Sequence, residues 1–174
     1  MHGLLFNLVS GATAVATGST GNSAQASFRL ASYNNFPYIA GPANSAFAAF
    51  VAPGSVGSND VYPTLLIASD NIGSANNFAA DNTGPQYGNY AYLSANFTNQ
   101  RGFVGLRFEF NGNQHYGWAD VTHLGAGSGT TLHAFGYNDT PDAPSHPVPE
   151  PSSLLLLAAG AAGLAGFRRR KTVA

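Results

Sequence analysis

Residues 154–167 are fourteen consecutive Leu, Ala, Gly and Phe positions without one polar side chain, and Arg168, Arg169, Arg170 and Lys171 follow at once. A helix that is apolar all round has no face to give to water, so it belongs inside a core or inside a lipid bilayer. At about 1.5 Å per residue the run spans roughly 21 Å, or about 25 Å with residues 151–153, against a hydrocarbon core of about 30 Å. Snorkelling cationic side chains and local bilayer thinning cover the difference. A run of this length is also the size of a buried core helix. Three features favour the membrane: the absence of an amphipathic stripe, the prolines upstream, and the cationic cluster at the end where cytoplasmic Lys and Arg are expected. Residues 141–151 carry Pro141, Pro144, Pro147, Pro149 and Pro151, which fix φ and remove backbone donors, so an extended, unpaired and semi-rigid spacer is expected there. The segment therefore reads as a Pro-rich linker over 141–151, a transmembrane helix over 152–167 and a cytoplasmic basic tail over 168–174.

The order of these parts carries a family resemblance. Val148-Pro149-Glu150-Pro151, then Ser152 and Ser153, the Leu/Ala/Gly run and the Arg cluster resemble the PEP-CTERM sorting signal of exported proteins in polysaccharide-producing Gram-negative bacteria. The resemblance implies that Pro149, Glu150 and Pro151 are the recognition triplet of exosortase, a membrane-embedded, transpeptidase-like cysteine protease that cuts near the motif and releases or re-anchors the protein. Two fixed φ angles presenting one carboxylate on an extended chain suit such reading, because little ordering entropy is lost on binding. The plainer alternative is a C-terminal anchor with an acidic linker.

Upstream of the linker the composition points to strands. Charged residues are 9% of the chain, against about a quarter in an average soluble domain, while glycine occurs 21 times and proline 10 times. Exposed helices need charged faces and disfavour glycine, whereas short strands joined by Gly, Asn, Ser and Pro turns accept this composition. Three cations stand against eight acids before residue 168, so phosphate-backbone binding by this part is excluded. Cysteine is absent, which removes disulfides, thiolate nucleophiles and zinc–thiolate sites. The expected architecture over 27–140 is an antiparallel β-sandwich or jelly roll, with strands near 27–33, 46–52, 61–69, 89–97, 102–110, 114–123 and 130–137.

The clearest element is the pair 102–110 and 114–123. Val104, Leu106, Phe108 and Phe110 share one face by period two, and Phe103, Gly105, Arg107 and Glu109 share the other. A three-residue loop Asn111-Gly112-Asn113 is expected, which sets Phe108 opposite Tyr116, Leu106 opposite Trp118 and Glu109 opposite His115. Residues 102–108, 115–118 and 136–141 also resemble a pattern that recurs in domains attached to this sorting signal, and that pattern supplies no substrate. For residues 1–26 two readings stand. One is a signal segment with a weak apolar stretch over 4–16 and Ala24-Gln25-Ala26 as a cleavage site, though it lacks a cationic start. The other is the domain's first strand over 4–17.

Catalytic groups are sparse: His115, Asp120, His123 and His133 are the candidates for a metal or acid–base site. His115 and His123 lie eight residues apart on one expected strand, roughly 26 Å at about 3.3 Å per residue, so they cannot share an ion. Asp120 falls on the opposite face from His123. Asp70-Asn71-Ile72-Gly73 and Asp81-Asn82-Thr83-Gly84 have the hard oxygen ligands of a calcium site without a complete calcium-loop pattern, and ordinary turn chemistry accounts for them. There is no G-x-S-x-G elbow, and no pair of carboxylates that sequence places at glycosidase spacing. Tyr87, Tyr90 and Tyr92 beside asparagines offer faces on which sugar rings stack. Tyr116, Trp118 and Tyr137 are expected in the core. The sequence thus implies an exported, exosortase-processed cell-surface or matrix protein without catalytic activity, cofactor or nucleic-acid partner. The alternative is a carbohydrate-binding module of the exopolysaccharide matrix, and the third reading is a secreted hydrolase.

Overall fold

The computed structural model describes residues 2–17, 25–33, 36–42, 44–53, 59–80, 89–93, 97–125 and 129–147. Eleven strands occur among them: β1 (His2–Asn7), β2 (Thr13–Thr17), β3 (Ser27–Tyr33), β4 (Phe36–Gly41), β5 (Ala46–Pro53), β6 (Asn59–Pro63), β7 (Phe78–Ala79), β8 (Asn89–Tyr92), β9 (Gln100–Phe110), β10 (Asn113–His123) and β11 (Thr130–Tyr137). All pairings between strands are antiparallel. One sheet runs β2-β1-β3-β4-β8, the other β11-β10-β9-β5-β6, and β7 adds to β5. The described residues are all-β, as composition implies. No helix among the described residues is long and apolar enough to cross a membrane, and the 152–167 span lies outside those residues.

The two sheets share one core because period two sorts their side chains. Phe6, Phe28, Leu30 and Ile39 from the first sheet meet Phe47, Val104, Leu106, Phe108, Ala119 and Val121 from the second. Phe28, fully buried, joins the layers: its ring centroid lies 5.8 Å from that of Phe6 in its own sheet, and 6.3 Å and 5.9 Å from those of Phe47 and Phe108 across the core. Residues 2–17, left open between a leader and a first strand, form the β1–β2 hairpin. Gly3 pairs with Ala31 and Phe6 with Phe28, and Phe6, Leu8 and Ala26 belong to the core.

The β9–β10 hairpin corrects the expected register. Phe110 pairs with Asn113, Glu109 with Gln114, Phe108 with His115 and Arg107 with Tyr116, so the loop is the two residues Asn111 and Gly112. Their φ values of 51° and 76° are both positive, the signature of a type I′ turn, whose twist matches that of the strands it joins. Turn chemistry outweighs the aromatic pairing that favoured a longer loop. Glu109 accordingly has no His115 opposite it, and its carboxylate accepts a hydrogen bond from Asn44 Nδ2 at 2.8 Å.

The one-residue change moves a whole set of side chains to the other face. Tyr116 and Trp118 do not point between the sheets. They form a second cluster with Ala48, Leu66 and Ile72, against which Phe78 and Phe103 pack. This cluster covers the outer face of the larger sheet, and its lid is the stretch between β6 and β7. The strand expected over 61–69 therefore ends at Pro63. Beyond it the chain crosses over the sheet, with Leu66 bridging Phe103 and Ile72 bridging Ser145. The strand expected over 89–97 ends at Tyr92, where Leu93 begins a turn closed by Phe97 N–H donating to Leu93 O at 3.2 Å.

The smaller elements follow from local chemistry. Strand β4, which sequence reading missed, carries Pro37 at its second position, a residue that argues against a strand because it cannot donate; here its carbonyl accepts from Leu93 N–H. Pairing of β10 with β11 shifts register between Asp120 and Val121, from Asp120 opposite Ala134 to Val121 opposite Leu132. His133 is the extra residue of this bulge, the kind of insertion that bends a strand.

Candidate functional site

The residues singled out in the sequence separate in the structure. His115 Nδ1 lies 3.1 Å from Asn138 O, His123 Nδ1 3.4 Å from Thr130 Oγ1, and His133 Nε2 2.8 Å from Thr122 Oγ1. Each imidazole has its own local partner, and no group of three or more metal-ligating side chains forms among the described residues. Burial favours the neutral form of His123 and lowers its pKa, while a hydrogen bond with the Gly129 backbone pulls weakly the other way. Asp70 acts as a turn residue: its carboxylate accepts from Ile67 N–H at 2.8 Å. The second Asp-Asn turn, at 81–84, lies outside the described residues.

Of the tyrosines proposed to stack on sugars, Tyr92 packs against the cluster of Ala31, Tyr38 and Ala40 on the outer face of the smaller sheet, with its ring centroid 6.1 Å from that of Tyr62. It is half-buried. Tyr90 pairs with Ala40 between β4 and β8, and Tyr87 lies outside the described residues.

The larger sheet carries a more substantial feature on its outer face. An open groove of about 1420 Å³ runs over β9, β10 and β11, with Phe103, Trp118 and Gly136 on its floor and residues 66–68 and 144–146 along its sides. Small residues on β11 make room for the indole: a Cβ at Gly136 would stand 2.9 Å from Trp118 Cζ2. The Phe103 ring meets Trp118 edge to face, centroids 5.6 Å apart. At one end Arg101 grips Asp120 with two of its nitrogens: Nε donates to Oδ1 at 3.0 Å and Nη2 to Oδ2 at 2.7 Å. Asp120 is 6% exposed at its side chain and Arg101 61%, so the carboxylate is held within the wall while the guanidinium stands at the rim. The same hydrogen bonds, and then the charge of Asp120, raise the already high pKa of Arg101. Asp139 and His146 complete the polar margin. Sequence parity missed this site because it places only one face of β10 against a core, whereas nearly every residue from His115 to His123 is buried.

The side of the groove at 144–146 belongs to a strap that leads to the motif. Ser145 N–H donates to Ile72 O at 2.8 Å and Ile72 N–H to Ser145 O at 2.9 Å, while Asp142 N–H donates to Gln114 O at 2.9 Å. Asn138 Nδ2 donates to Pro144 O at 2.7 Å and Asn138 Oδ1 accepts from Thr140 N–H at 3.0 Å. The first seven residues of the expected spacer are thus fastened to the sandwich. Their prolines remove donors only at their own positions, and Asp142 and Ser145, which retain theirs, make the attachments. Val148, Pro149, Glu150, Pro151 and the cluster Arg168, Arg169, Arg170 and Lys171 lie outside the described residues.

No match to the chain was found among curated proteins or solved structures. The family model of the PEP-CTERM protein-sorting motif matches residues 147–171, beginning at the buried proline that ends the strap. The chain therefore carries, directly downstream of its β-sandwich, the sorting motif of PEP-CTERM proteins, which marks it for export and for exosortase.

Proposed function

We propose that this is an exported protein without catalytic activity of its own, anchored in the inner membrane by residues 152–167, processed by exosortase near Pro149-Glu150-Pro151, and delivered to the cell surface or the extracellular matrix. The observation that carries this reading is the motif match over residues 147–171. The apolar run and cationic cluster supply the physical parts of such an address, a span that partitions into lipid and charges that resist translocation. The test is the intact mass of the exported chain. A C terminus near Pro151 supports processing, and a chain still ending at Ala174 rejects it. Replacing Glu150 with Ala should leave the unprocessed form to accumulate.

A second reading, supported by the groove on the larger sheet, is carbohydrate binding. Sugars pair apolar C–H faces with a periphery of hydroxyls. A floor of Phe103 and Trp118 with a margin of Arg101, Asp139 and His146 has the matching arrangement of aromatic surface and hydrogen-bonding groups. This platform lies on the sheet opposite the one that carries Tyr90 and Tyr92. The ligand class would be a polysaccharide of the matrix into which the protein is delivered.

A further inference from the structure

The sorting motif starts at the buried end of the strap. Ser145 is 4% exposed and Ile72, its backbone partner, fully buried. Pro147 is buried as well, and only Val148 separates it from the Pro-Glu-Pro triplet. Two residues of chain reach no further than about 7 Å, at about 3.6 Å per residue. A protease that reads an extended segment lines up several residues with its own backbone, in the manner of an added strand. On the upstream side of the triplet the donors and acceptors such an enzyme would use are already engaged: those of Ser145 with Ile72, and the carbonyl of Pro144 with Asn138.

Resting on the reading that the chain is processed at this motif, we propose that residues 139–147 are a gate: while the strap is fastened at Ile72 the motif is withheld from exosortase, and processing proceeds through strap release. The strap is built to lift without unfolding the sandwich. Asp139, Thr140, Pro141, Asp142, Pro144 and His146 are exposed. Among the described residues its hold consists of a few backbone hydrogen bonds, the Asn138 contact, a hydrogen bond donated by Gln114 Nε2 to Asp142 Oδ1 at 3.2 Å, and two buried side chains, the profile of a segment that opens locally at a fraction of the global cost. The gate leaves a chain that has not yet folded open to processing and slows it once the domain is complete.

The test uses the absence of cysteine from the native sequence. A Cβ at Gly73 would lie 3.2 Å from Pro144 Cβ, close to the separation a disulfide spans, so Gly73→Cys with Pro144→Cys can staple the strap shut. The full chain, oxidised beforehand and freed of oxidant, is presented to membrane vesicles from cells whose exosortase processes the unaltered chain, and the truncated product is followed by mass. Oxidation should lower the rate by about tenfold, equivalent to roughly 1.4 kcal/mol of opening, and dithiothreitol should restore it. A four-residue Gly-Ser insertion between Pro147 and Val148 should restore processing of the stapled chain without reduction, because it supplies free length downstream of the gate. Processing of the stapled chain at the unaltered rate overturns the gate while leaving the processing reading intact, and so does failure of the insertion to rescue it. If the unaltered chain is never cut and keeps Ala174, the processing reading fails and the gate with it.

Discussion

His115 stands directly across the hairpin from Phe108, its ring centroid 5.8 Å away and the two planes 25° apart. That stacking exists only because the turn contains two residues. Gly112 has a φ of 76° and nothing within 4 Å of the position its Cβ would occupy, so a side chain there is opposed by backbone conformation alone. Gly112→Ala should destabilise the domain by about 1 kcal/mol. Gly129, equally open and without a positive φ, should accept Ala with almost no change. Urea midpoints of the two variants check the contrast.

Gly105 is needed for space. A Cβ there would meet Ala48 Cβ at 2.8 Å and Leu66 Cδ1 at 3.0 Å, beneath the stretch that covers Tyr116 and Trp118. Gly105→Ala should cost about 1–3 kcal/mol through overpacking. Ala48→Gly in the same chain should recover part of that loss, giving a double variant more stable than the sum of its singles. Equality with that sum would mean the two positions do not meet.

Acid should weaken the fold through His123. Its pKa lies below the ordinary histidine value because burial opposes the charge. The unfolded chain takes up a proton as pH falls through about 6.5, whereas the folded chain resists until a lower pH. The contribution to stability is therefore intact above about 6.5 and is lost as pH drops from there towards the folded value. Thermal midpoints at pH 7.5 and 5.5 should fall further apart in the native chain than in His123→Gln.

If the groove binds glycan, the rim and the floor should separate in their effects. Asp139→Ala with His146→Ala removes exposed polar groups and should abolish retention on a glycan array with the thermal midpoint nearly unchanged. Trp118→Ala should lose both retention and about 3–5 kcal/mol of stability, as expected for a large aromatic in a packed cluster. Retention that survives the rim variant at full strength would place the ligand elsewhere.

Alternation made much of the sandwich legible. Val104, Leu106 and Phe108 face inward as period two requires, and Asn111-Gly112 divides β9 from β10. What stayed hidden lies on the second face of β10. A half-buried strand was expected, and nothing in the spacing of Tyr116 and Trp118 announces that residues 64–80 will fold over them. The register is legible, since Asn-Gly is the strongest short hairpin signal, but cross-strand aromatic pairing competes with it. Among the candidate site residues, the sorting motif was readable because its signal is linear. The groove was not, because its walls come from stretches distant in sequence.

The two sheets also differ in how far the chain must travel to build them. β2, β1, β3 and β4 are sheet neighbours joined by brief connections, so this half can nucleate from local encounters. β5 meets β9 only after the whole stretch between Pro53 and Gln100 has looped back, an encounter with a larger entropic barrier. Folding kinetics should therefore be limited by the second half, and until it closes, the edges around Phe47 and Leu106 are free to capture another copy of the chain. For a chain that carries an export-sorting motif, that interval is when aggregation threatens most.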